Sequence, residues 1–380
     1  MSAPLSEEFD GLADRAWLNC AHQAPLPRRA VEAAEAAIER KRSPWLMEPE
    51  QWEEVPRRLK AAIALLIGAS AEDVVLTNSA SYGLELLART LPLEAGDEVL
   101  LVDGDFPASI YPWLPLRERG VEVRFLPGDS ITPKHLGDAL RGRTRVFCSS
   151  WVFSFTGRAL DIEALGEVCA TRGTTFVVNA TQAVGARPLD IGAVRADALV
   201  CSGFKWLCGP YGTGFAWFSP ALRDRLTYRP AYWLTHQQAL GGDVERGPTY
   251  ELAEVGAAAY DLPDTANFIN FEAWLASLEL LAEVGVAPIE AHDQELVAQL
   301  VEGIAGSPLD LLSPRAGAER STLVFASHPE DARNAEVFEA LRAAGIHVAM
   351  RTGALRFSPH LYNGSADVER ALEVLRGEYA

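Results

Sequence analysis

Short apolar runs alternate with amphipathic stretches through the first two thirds of the chain. Within each run the apolar residues are nearly continuous, which is typical of strands with helices covering both sheet faces. Because helical stretches separate the runs, the order predicts βαβ units and a mostly parallel sheet. The predicted strands are DVVLTNSA, DEVLLVDGD, VEVRFLP, TRVFCSSWVFS, TTFVVNATQ, ADALVCSGF and GTGFAWFSP, and the helices between them include AAIALLIGA (61–69), SYGLELLARTL and DIEALGEVCATRG.

The pattern changes near residue 268, where longer helical stretches begin. The segments FINFEAWLASLELLAEVG and APIEAHDQELVAQLVEGIAG predict two long helices, and STLVFASH, HVAMRTG and ALRFSPH predict short strands before a closing helix. We therefore expect an α/β fold with a large domain over residues 16–267. A smaller α+β domain is expected from residues 1–15 and 268–380.

The net charge and the cysteine pattern of the chain limit the kinds of partner and site that we expect. The 380-residue chain carries a formal net charge of −18, which argues against nucleic acid or an anionic membrane as a partner. No apolar run is long enough for a spanning helix, and the acidic N-terminus does not resemble a signal peptide. The five cysteines are scattered without zinc-site spacing, so we expect reduced thiols, no metal site and a cytoplasmic protein.

Polar or aromatic residues stand at or directly after the carboxyl ends of several predicted strands. In parallel sheets, ligands bind beyond the carboxyl ends of the strands, so these residues are the first candidates for a site. They are Asn78–Ser81, Asp105–Phe106, Ser154, Asn179–Gln182 and Ser202–Lys205.

Lys205 carries the strongest chemical signal. It follows a buried strand in ALVCSGFKWLCGPYGTGF, between Phe204 and Trp206. Apolar surroundings disfavour the charged form of a lysine, so its pKa falls and the free amine can form a Schiff base with an aldehyde cofactor. The alternative is a surface lysine that extends past two aromatic side chains to solvent. The other strand-end residues favour the first interpretation.

The chain resembles the class V aminotransferase group of fold-type I pyridoxal phosphate (PLP) enzymes. That group includes cysteine desulfurases, kynureninase and isopenicillin N epimerase-like proteins. The resemblance runs from WLNCAHQAPLP (17–27) to LRFSPHLYN (355–363), and KWLCGPYGTG is its most specific part. It implies that Lys205 holds PLP as a Schiff base and moves the Cα proton of the substrate.

The resemblance also implies a phosphate site. TNSASYGL (77–84) matches the family's phosphate loop, where Ala80 would donate its backbone N–H, and Ser81 its N–H and hydroxyl. An ordinary helix N-cap is compatible with the same residues. Ser202 would add a hydroxyl. Thr265 matches a threonine that reaches the phosphate of the partner subunit, which implies a homodimer with shared active sites.

Three residues match the surroundings of the cofactor ring. Phe106 falls where the family stacks an aromatic side chain on the ring, although an aromatic residue there could equally belong to the core. Gln182 matches a glutamine that donates to the phenolate oxygen, and Ser154 stands where relatives often carry an asparagine near that oxygen.

Asn179 departs from the family pattern, which has an aspartate that keeps the pyridine nitrogen protonated. A neutral amide cannot hold that charge, so we expect a mostly neutral nitrogen and a weaker electron sink. Three explanations are open: a natural enzyme with a weaker sink, a designed Asp→Asn variant, or a protein that has lost catalysis and kept binding. A simple turn cap at Asn179 would not explain the other matches.

Substrate-binding residues are implied near both ends of the chain. Arg356 matches the arginine that binds the substrate α-carboxylate, where a guanidinium gives a bidentate pair. The alternative for Arg356 is a local ion pair. His22 lies in the N-terminal segment that covers the site in this family, and a structural histidine is the alternative there. Arg351 is a further candidate, for a second carboxylate.

The expected function is a PLP-dependent enzyme acting on an α-amino acid or small amine. It would form a Schiff base with the substrate and deprotonate Cα in an aminotransferase- or epimerase-like reaction. Residues 347–360 lack the cysteine that desulfurases carry, which disfavours persulfide chemistry there. The alternatives are β-elimination or C–S lyase activity, and a PLP-binding protein with impaired or lost catalysis because of Asn179.

Overall fold

The fold is described from a computed structural model, which covers residues 5, 7–48, 50–241, 247, 250–263 and 267–377. Its α-helices are α1 (Arg28–Arg42), α2 (Gln51–Ile67), α3 (Ala80–Thr90), α4 (Pro107–Ile110), α5 (Pro133–Ala139), α6 (Ile162–Arg172), α7 (Ile191–Val194), α8 (Pro220–Arg223), α9 (Trp233–Ala239), α10 (Phe268–Val284), α11 (Val286–Ile304), α12 (Arg333–Ala343) and α13 (Ser365–Arg376). Short 3-10 helices are Asp10–Leu12, Pro44–Leu46, Ala71–Asp73, Tyr111–Arg119, Gly128–Ser130 and Gly256–Tyr260.

The strands form three sheets. In chain order they are β1 (Ala16–Trp17), β2 (Val74–Thr77), β3 (Glu98–Asp103), β4 (Glu122–Pro127), β5 (Thr144–Ser150), β6 (Thr175–Asn179), β7 (Ala198–Ser202), β8 (Gly214–Phe218), β9 (Asp310–Leu311), β10 (Val324–Ser327), β11 (Ile346–His347), β12 (Ala349–Arg351) and β13 (Ala354–Phe357). The large sheet has the order β2-β8-β7-β6-β5-β3-β4, and only β8 runs antiparallel to its neighbours. This confirms the predicted mostly parallel sheet.

Both faces of the large sheet are buried, which explains the continuous apolar runs. In β3, Leu100 and Val102 belong to the core cluster that includes α2, α6 and α10, and Val99 and Leu101 belong to the cluster that includes α3. Successive side chains of a strand point to opposite faces, so every position of such a strand is apolar.

The C-terminal part has its own core and sheets. The antiparallel order β12-β13-β10-β9 packs with α11, α12 and α13. The short β1 pairs in parallel with β11, and Leu18 lies in the same core cluster. Helix α10 instead packs on α1 and α2. The boundary between two domains stays a prediction.

Two predicted boundaries differ from the structure. The helix expected over 61–69 begins already at Gln51, and Pro56 lies within α2. The single strand expected in HVAMRTG is divided at Val348, because β11 pairs with β1 whereas β12 pairs with β13. No helix among the described residues is both long and apolar enough to cross a membrane.

Helix α3 lies close against β7, and Gly83 permits this approach. A Cβ built at Gly83 would lie 2.7 Å from Cγ1 of Val200, whereas one built at Gly137 in α5 meets nothing nearer than 3.8 Å. Since α3 begins at Ala80, the contact at Gly83 also sets the position of the residues at its N-terminus.

We predict opposite effects of the same substitution at these two helical glycines. Gly83→Ala should lower the free energy of unfolding by about 1–3 kcal/mol through overpacking. Gly137→Ala should leave it unchanged or raise it by up to about 1 kcal/mol through helix propensity. Urea unfolding of both variants measures this, and a loss at Gly137 as large as at Gly83 would contradict the packing argument.

Candidate functional site

A cavity of about 260 Å³ lies at the carboxyl ends of the parallel strands. All the sequence-predicted site residues that the structure describes line it: His22, Ala80, Ser81, Phe106, Ser154, Asn179, Gln182, Ser202, Lys205 and Arg356. Thr265 lies outside the described residues, so neither its predicted role nor the homodimer is addressed by this geometry. The structure therefore brings together residues that lie more than 300 positions apart in the chain.

Lys205 is buried beside two aromatic rings. Lys205 comes three residues after the end of β7 and is 8% exposed. Its Nζ lies 5.5 Å from the ring centroid of Phe106 and 5.8 Å from that of Phe204. Burial, and then the positive charge of Arg356, lowers the pKa of Lys205 to about 7. Near pH 7, the Lys205 amine is therefore neutral in a large fraction of the molecules.

The N-terminus of α3 faces the same cavity. Ser79 caps the helix by accepting from the Tyr82 N–H at 3.2 Å, as expected for a serine N-cap. The Ala80 N–H donates to the Ser202 hydroxyl oxygen at 3.1 Å. The hydroxyls of Ser81 and Ser202 line the cavity beside a helix end that favours anions.

Asn179 ends β6 and is held by hydrogen bonds at both ends of its amide. Nδ2 donates to Ser109 Oγ at 3.0 Å, and Oδ1 accepts from the Thr181 N–H at 3.1 Å. The side chain is 5% exposed. These two partners fix which way the amide points.

Gln182 joins the N-terminal segment to the cavity wall. Its Nε2 donates to the Ala21 carbonyl at 3.0 Å and to Ser154 Oγ at 3.3 Å, and its Oε1 accepts from Trp206 Nε1 at 2.9 Å. Both amide hydrogens therefore have protein acceptors in this structure. The predicted donation from Gln182 to a cofactor oxygen stays a prediction.

Arg356 is a buried cation with unused donors. Its side chain lies on β13 and donates from Nη1 to the Ser154 carbonyl at 3.3 Å. Nε and Nη2 are buried without a hydrogen-bond partner among the described residues. Burial, and then the charge of Arg351, lowers the pKa of Arg356 to about 10. A guanidinium in this state can accept an anion at its free edge.

His22 and Arg351 also line the cavity. Partial desolvation lowers the pKa of His22 below 6.5, and the charges of Arg351 and Arg356 add to this effect. The imidazole of His22 is therefore mostly neutral near pH 7. His360 does not line the cavity: it is fully buried, and its Nδ1 lies 2.8 Å from Asp293 Oδ2, which is a structural contact.

Three residues joined to Asn179 through hydrogen bonds were given no role from the sequence: Asp105, Ser109 and Ser150. Asp105 is buried and accepts from the N–H groups of Phe106 and Ser150 at 2.6 and 2.8 Å, and burial raises the pKa of its carboxyl. The hydroxyls of Ser109 and Ser150 lie 3.4 Å apart. The strand-end position of Asp105 was a usable signal, but the short helix that carries Ser109 gave none.

The five cysteines are free and buried, and burial raises the pKa of every one of their thiols. None of them lines the cavity. Among the described residues, no three His, Cys, Asp or Glu side chains are grouped as metal ligands.

The chain is similar to several known proteins. The chain is 28% identical to isopenicillin N epimerase of Streptomyces clavuligerus, with 95% of each protein covered. It is 30% identical to kynureninase of Deinococcus radiodurans, with 96% of this chain and 90% of that protein covered. A probable cysteine desulfurase of Methanothermobacter thermautotrophicus is 28% identical over 64% of this chain. The match spans 60% of that relative, less than two thirds of its length.

The fold is also that of a solved relative. The cysteine desulfurase of Thermococcus onnurineus NA1 superposes with a TM-score of 0.87 over 99% of this chain and 98% of that one, at 20% identity. Residues 48–370 match the family described as Aminotransferase class-V, which confirms the resemblance inferred from the lysine segment. Since that match includes the α3 loop, Lys205 and Arg356, this chain belongs to the class-V aminotransferase family, whose members depend on PLP.

Proposed function

We propose that the chain is a PLP enzyme that removes the Cα proton of an α-amino acid or small amine, in an aminotransferase- or epimerase-like reaction. One observation carries the proposal. A buried lysine with a largely neutral amine shares a cavity with a buried arginine whose Nε and Nη2 have no partner among the described residues.

The residues of the cavity fit PLP. The phosphate suits the N-terminus of α3 together with the hydroxyls of Ser81 and Ser202. Lys205 suits the aldehyde, and Phe106 supplies an aromatic face 5.5 Å from Nζ. When bound, the cofactor supplies an aldehyde carbon that reacts with amines and a ring that accepts electron density from Cα.

Arg356 and Lys205 have different roles: Arg356 binds the substrate, and Lys205 accepts a proton from it. The free edge of Arg356 binds the α-carboxylate and fixes the orientation of Cα. The neutral amine of Lys205 then accepts the proton from Cα as a general base, which its pKa near 7 suits. The hydrogen bond from Gln182 to the Ala21 carbonyl holds the N-terminal segment over the site and limits the entry of water.

Sulfur transfer through a cysteine persulfide is disfavoured by the position of the thiols. All five are buried outside the cavity wall, and a neutral buried thiol is a poor nucleophile. The likeness to cysteine desulfurases therefore supports the fold and the cofactor for this chain, and not their thiol chemistry.

Asn179 sets the strength of the electron sink. An amide that already donates to Ser109 and accepts from the Thr181 N–H provides no negative charge for a ring nitrogen. We propose that the nitrogen stays mostly unprotonated, which slows steps that place electron density on the ring.

The first prediction concerns proton exchange. The PLP-loaded protein should exchange the α-proton of at least one amino acid in heavy water, followed by proton NMR over a broad panel of α-amino acids. Lys205→Ala should lower the exchange rate by roughly 10²–10⁴-fold, because the general base is lost. Borohydride reduction and peptide mapping should place the cofactor on Lys205.

Two outcomes of that experiment oppose the proposal. A labelled Lys205 without exchange of any amino acid would support a protein that binds PLP and has lost catalysis. Release of a β-substituent together with a keto acid would replace the aminotransferase- or epimerase-like reaction by β-elimination.

The second prediction concerns the stability of the apoprotein. The pKa of Lys205 is about 7 in the folded state and 10.5 as its ordinary value, so folding disfavours the proton. Lys205→Met should therefore unfold with a free energy higher by on the order of 4 kcal/mol at pH 7 and below. The difference should shrink as the pH rises from 7 towards 10.5.

Urea unfolding between about pH 6 and about pH 9.5, which covers most of the interval between the folded and ordinary pKa values, measures this dependence. Lys41→Met, at an exposed site in the last turn of α1, controls for the loss of one positive charge. A difference between Lys205→Met and the unsubstituted protein that is constant with pH would show that burial does not shift this lysine.

The third prediction concerns Asn179→Asp. The Ser109 hydroxyl can donate to a carboxylate as readily as it accepts from an amide, so the substitution should preserve the fold. We expect α-proton exchange to rise by at least about tenfold, since the ring nitrogen gains an anionic partner. The pH dependence of the cofactor absorbance should shift in parallel, and unchanged rates and spectra would refute the proposed role of Asn179.

A further inference from the structure

Two arginines share one face of the β12–β13 hairpin. Arg351 lies opposite Ala354, and Ala349 lies opposite Arg356. Opposed residues of an antiparallel pair share a face, and so do alternate residues along a strand. Arg351 and Arg356 are therefore diagonal neighbours, roughly 7–8 Å apart between Cα atoms.

The turn of this hairpin keeps the two strands in close register. Thr352 and Gly353 have φ angles of 51° and 85°, so both residues adopt the left-handed conformation of a tight two-residue turn. The short turn fixes the pairing of Arg351 with Ala354, and with it the spacing of the Arg351 and Arg356 Cα atoms.

Neither arginine has an acidic partner within the described part of the chain. Arg351 Nη1 donates to the carbonyl of its neighbour Met350 at 3.0 Å, and Arg356 donates from Nη1 to Ser154. Elsewhere in the described chain, partly buried arginines pair with carboxylates, as Arg124 does with Glu98 and Arg223 with Asp73.

The part of the cavity wall that the structure describes carries no carboxylate. No Asp or Glu lines it among the described residues, although the chain has 52 acidic and 34 basic residues. Arg356 has buried donors without a partner, and Arg351 is a partly exposed cation beside it, so both positive charges are stabilised when anions bind to them. One carboxylate satisfies the free edge of Arg356, and Arg351 is then left without an anion.

We propose that the substrate is an α-amino acid with a second carboxylate, which Arg351 binds while Arg356 binds the α-carboxylate. This inference rests on the proposed function of the same site. It makes Arg351 the residue that selects a dicarboxylic amino acid over its uncharged analogues.

The test compares charged and uncharged analogues in the PLP-loaded protein. Aspartate and glutamate are measured against asparagine, glutamine and alanine by α-proton exchange. Succinate and glutarate, which have no amine to react, are measured against butyrate by calorimetry. The variants are Arg351→Gln, Arg351→Lys and Arg356→Gln, with Arg172→Gln as the control at an exposed arginine in the last turn of α6.

We expect Arg351→Gln to raise KM for the acidic amino acids by on the order of 10- to 100-fold, the usual range for the loss of a charge-assisted hydrogen bond. The KM values for asparagine, glutamine and alanine should change by less than about twofold. The affinity for succinate or glutarate should fall in parallel. Arg351→Lys should show smaller changes than Arg351→Gln, both in KM for the acidic amino acids and in dicarboxylate affinity. Arg356→Gln should weaken all of these ligands, and Arg172→Gln none of them.

Three results would overturn the inference. One is an equal effect of Arg351→Gln on aspartate and alanine, because both arginines would then serve one carboxylate. Another is a loss of PLP affinity in Arg351→Gln, which would assign Arg351 to the phosphate. The third is the absence of any preference for dicarboxylates in either assay.

The calorimetric arm separates this inference from the proposed function. Dicarboxylate binding that depends on Arg351, without exchange of any amino acid, would support the site and refute the reaction. Exchange of neutral amino acids alone would support the reaction and refute the dicarboxylate substrate.

Discussion

Uncompensated positive charge in a buried cavity is the constraint on which the site depends. Lys205 and Arg356 are both almost fully buried, and the cavity wall supplies no carboxylate among the described residues. Such burial opposes folding, because a charged group loses its hydration when it is buried without a partner. The same imbalance makes the cavity receptive to anions and leaves the lysine amine ready to react.

The sequence predicted the sheet well because its strands are covered on both faces. The continuous apolar residues of β3, β5, β6 and β7 are typical of strands that are buried on both faces. The antiparallel insertion of β8 between β2 and β7 could not be predicted, since GTGFAWFSP looks like any buried strand. The division at Val348 was missed for a related reason, because pairing partners distant in sequence decide it.

The residues of the site were predictable, but their hydrogen bonds were not. Strand-end position and the match around Lys205 led to the side chains that line the cavity. Side-chain orientation depends on neighbours from other elements. The Ala80 N–H donates to the Ser202 hydroxyl oxygen here, so its predicted donation to a phosphate stays a prediction, and nothing in the sequence indicated Ser109 as the partner of Asn179.

The backbone around Ser358 makes the N-terminal segment an extension of the C-terminal sheet. The Ser358 N–H donates to the Leu18 carbonyl, the Cys20 N–H donates back to the Ser358 carbonyl, and the Ala21 N–H donates to Ser358 Oγ. A rotation of the C-terminal core would therefore carry His22 and Arg356 together as one body, relative to Lys205. Two hydrogen bonds join this unit to the large sheet, from Gln182 Nε2 to the Ala21 carbonyl and from Arg356 Nη1 to the Ser154 carbonyl, so such a rotation would change both sides of the cavity at once.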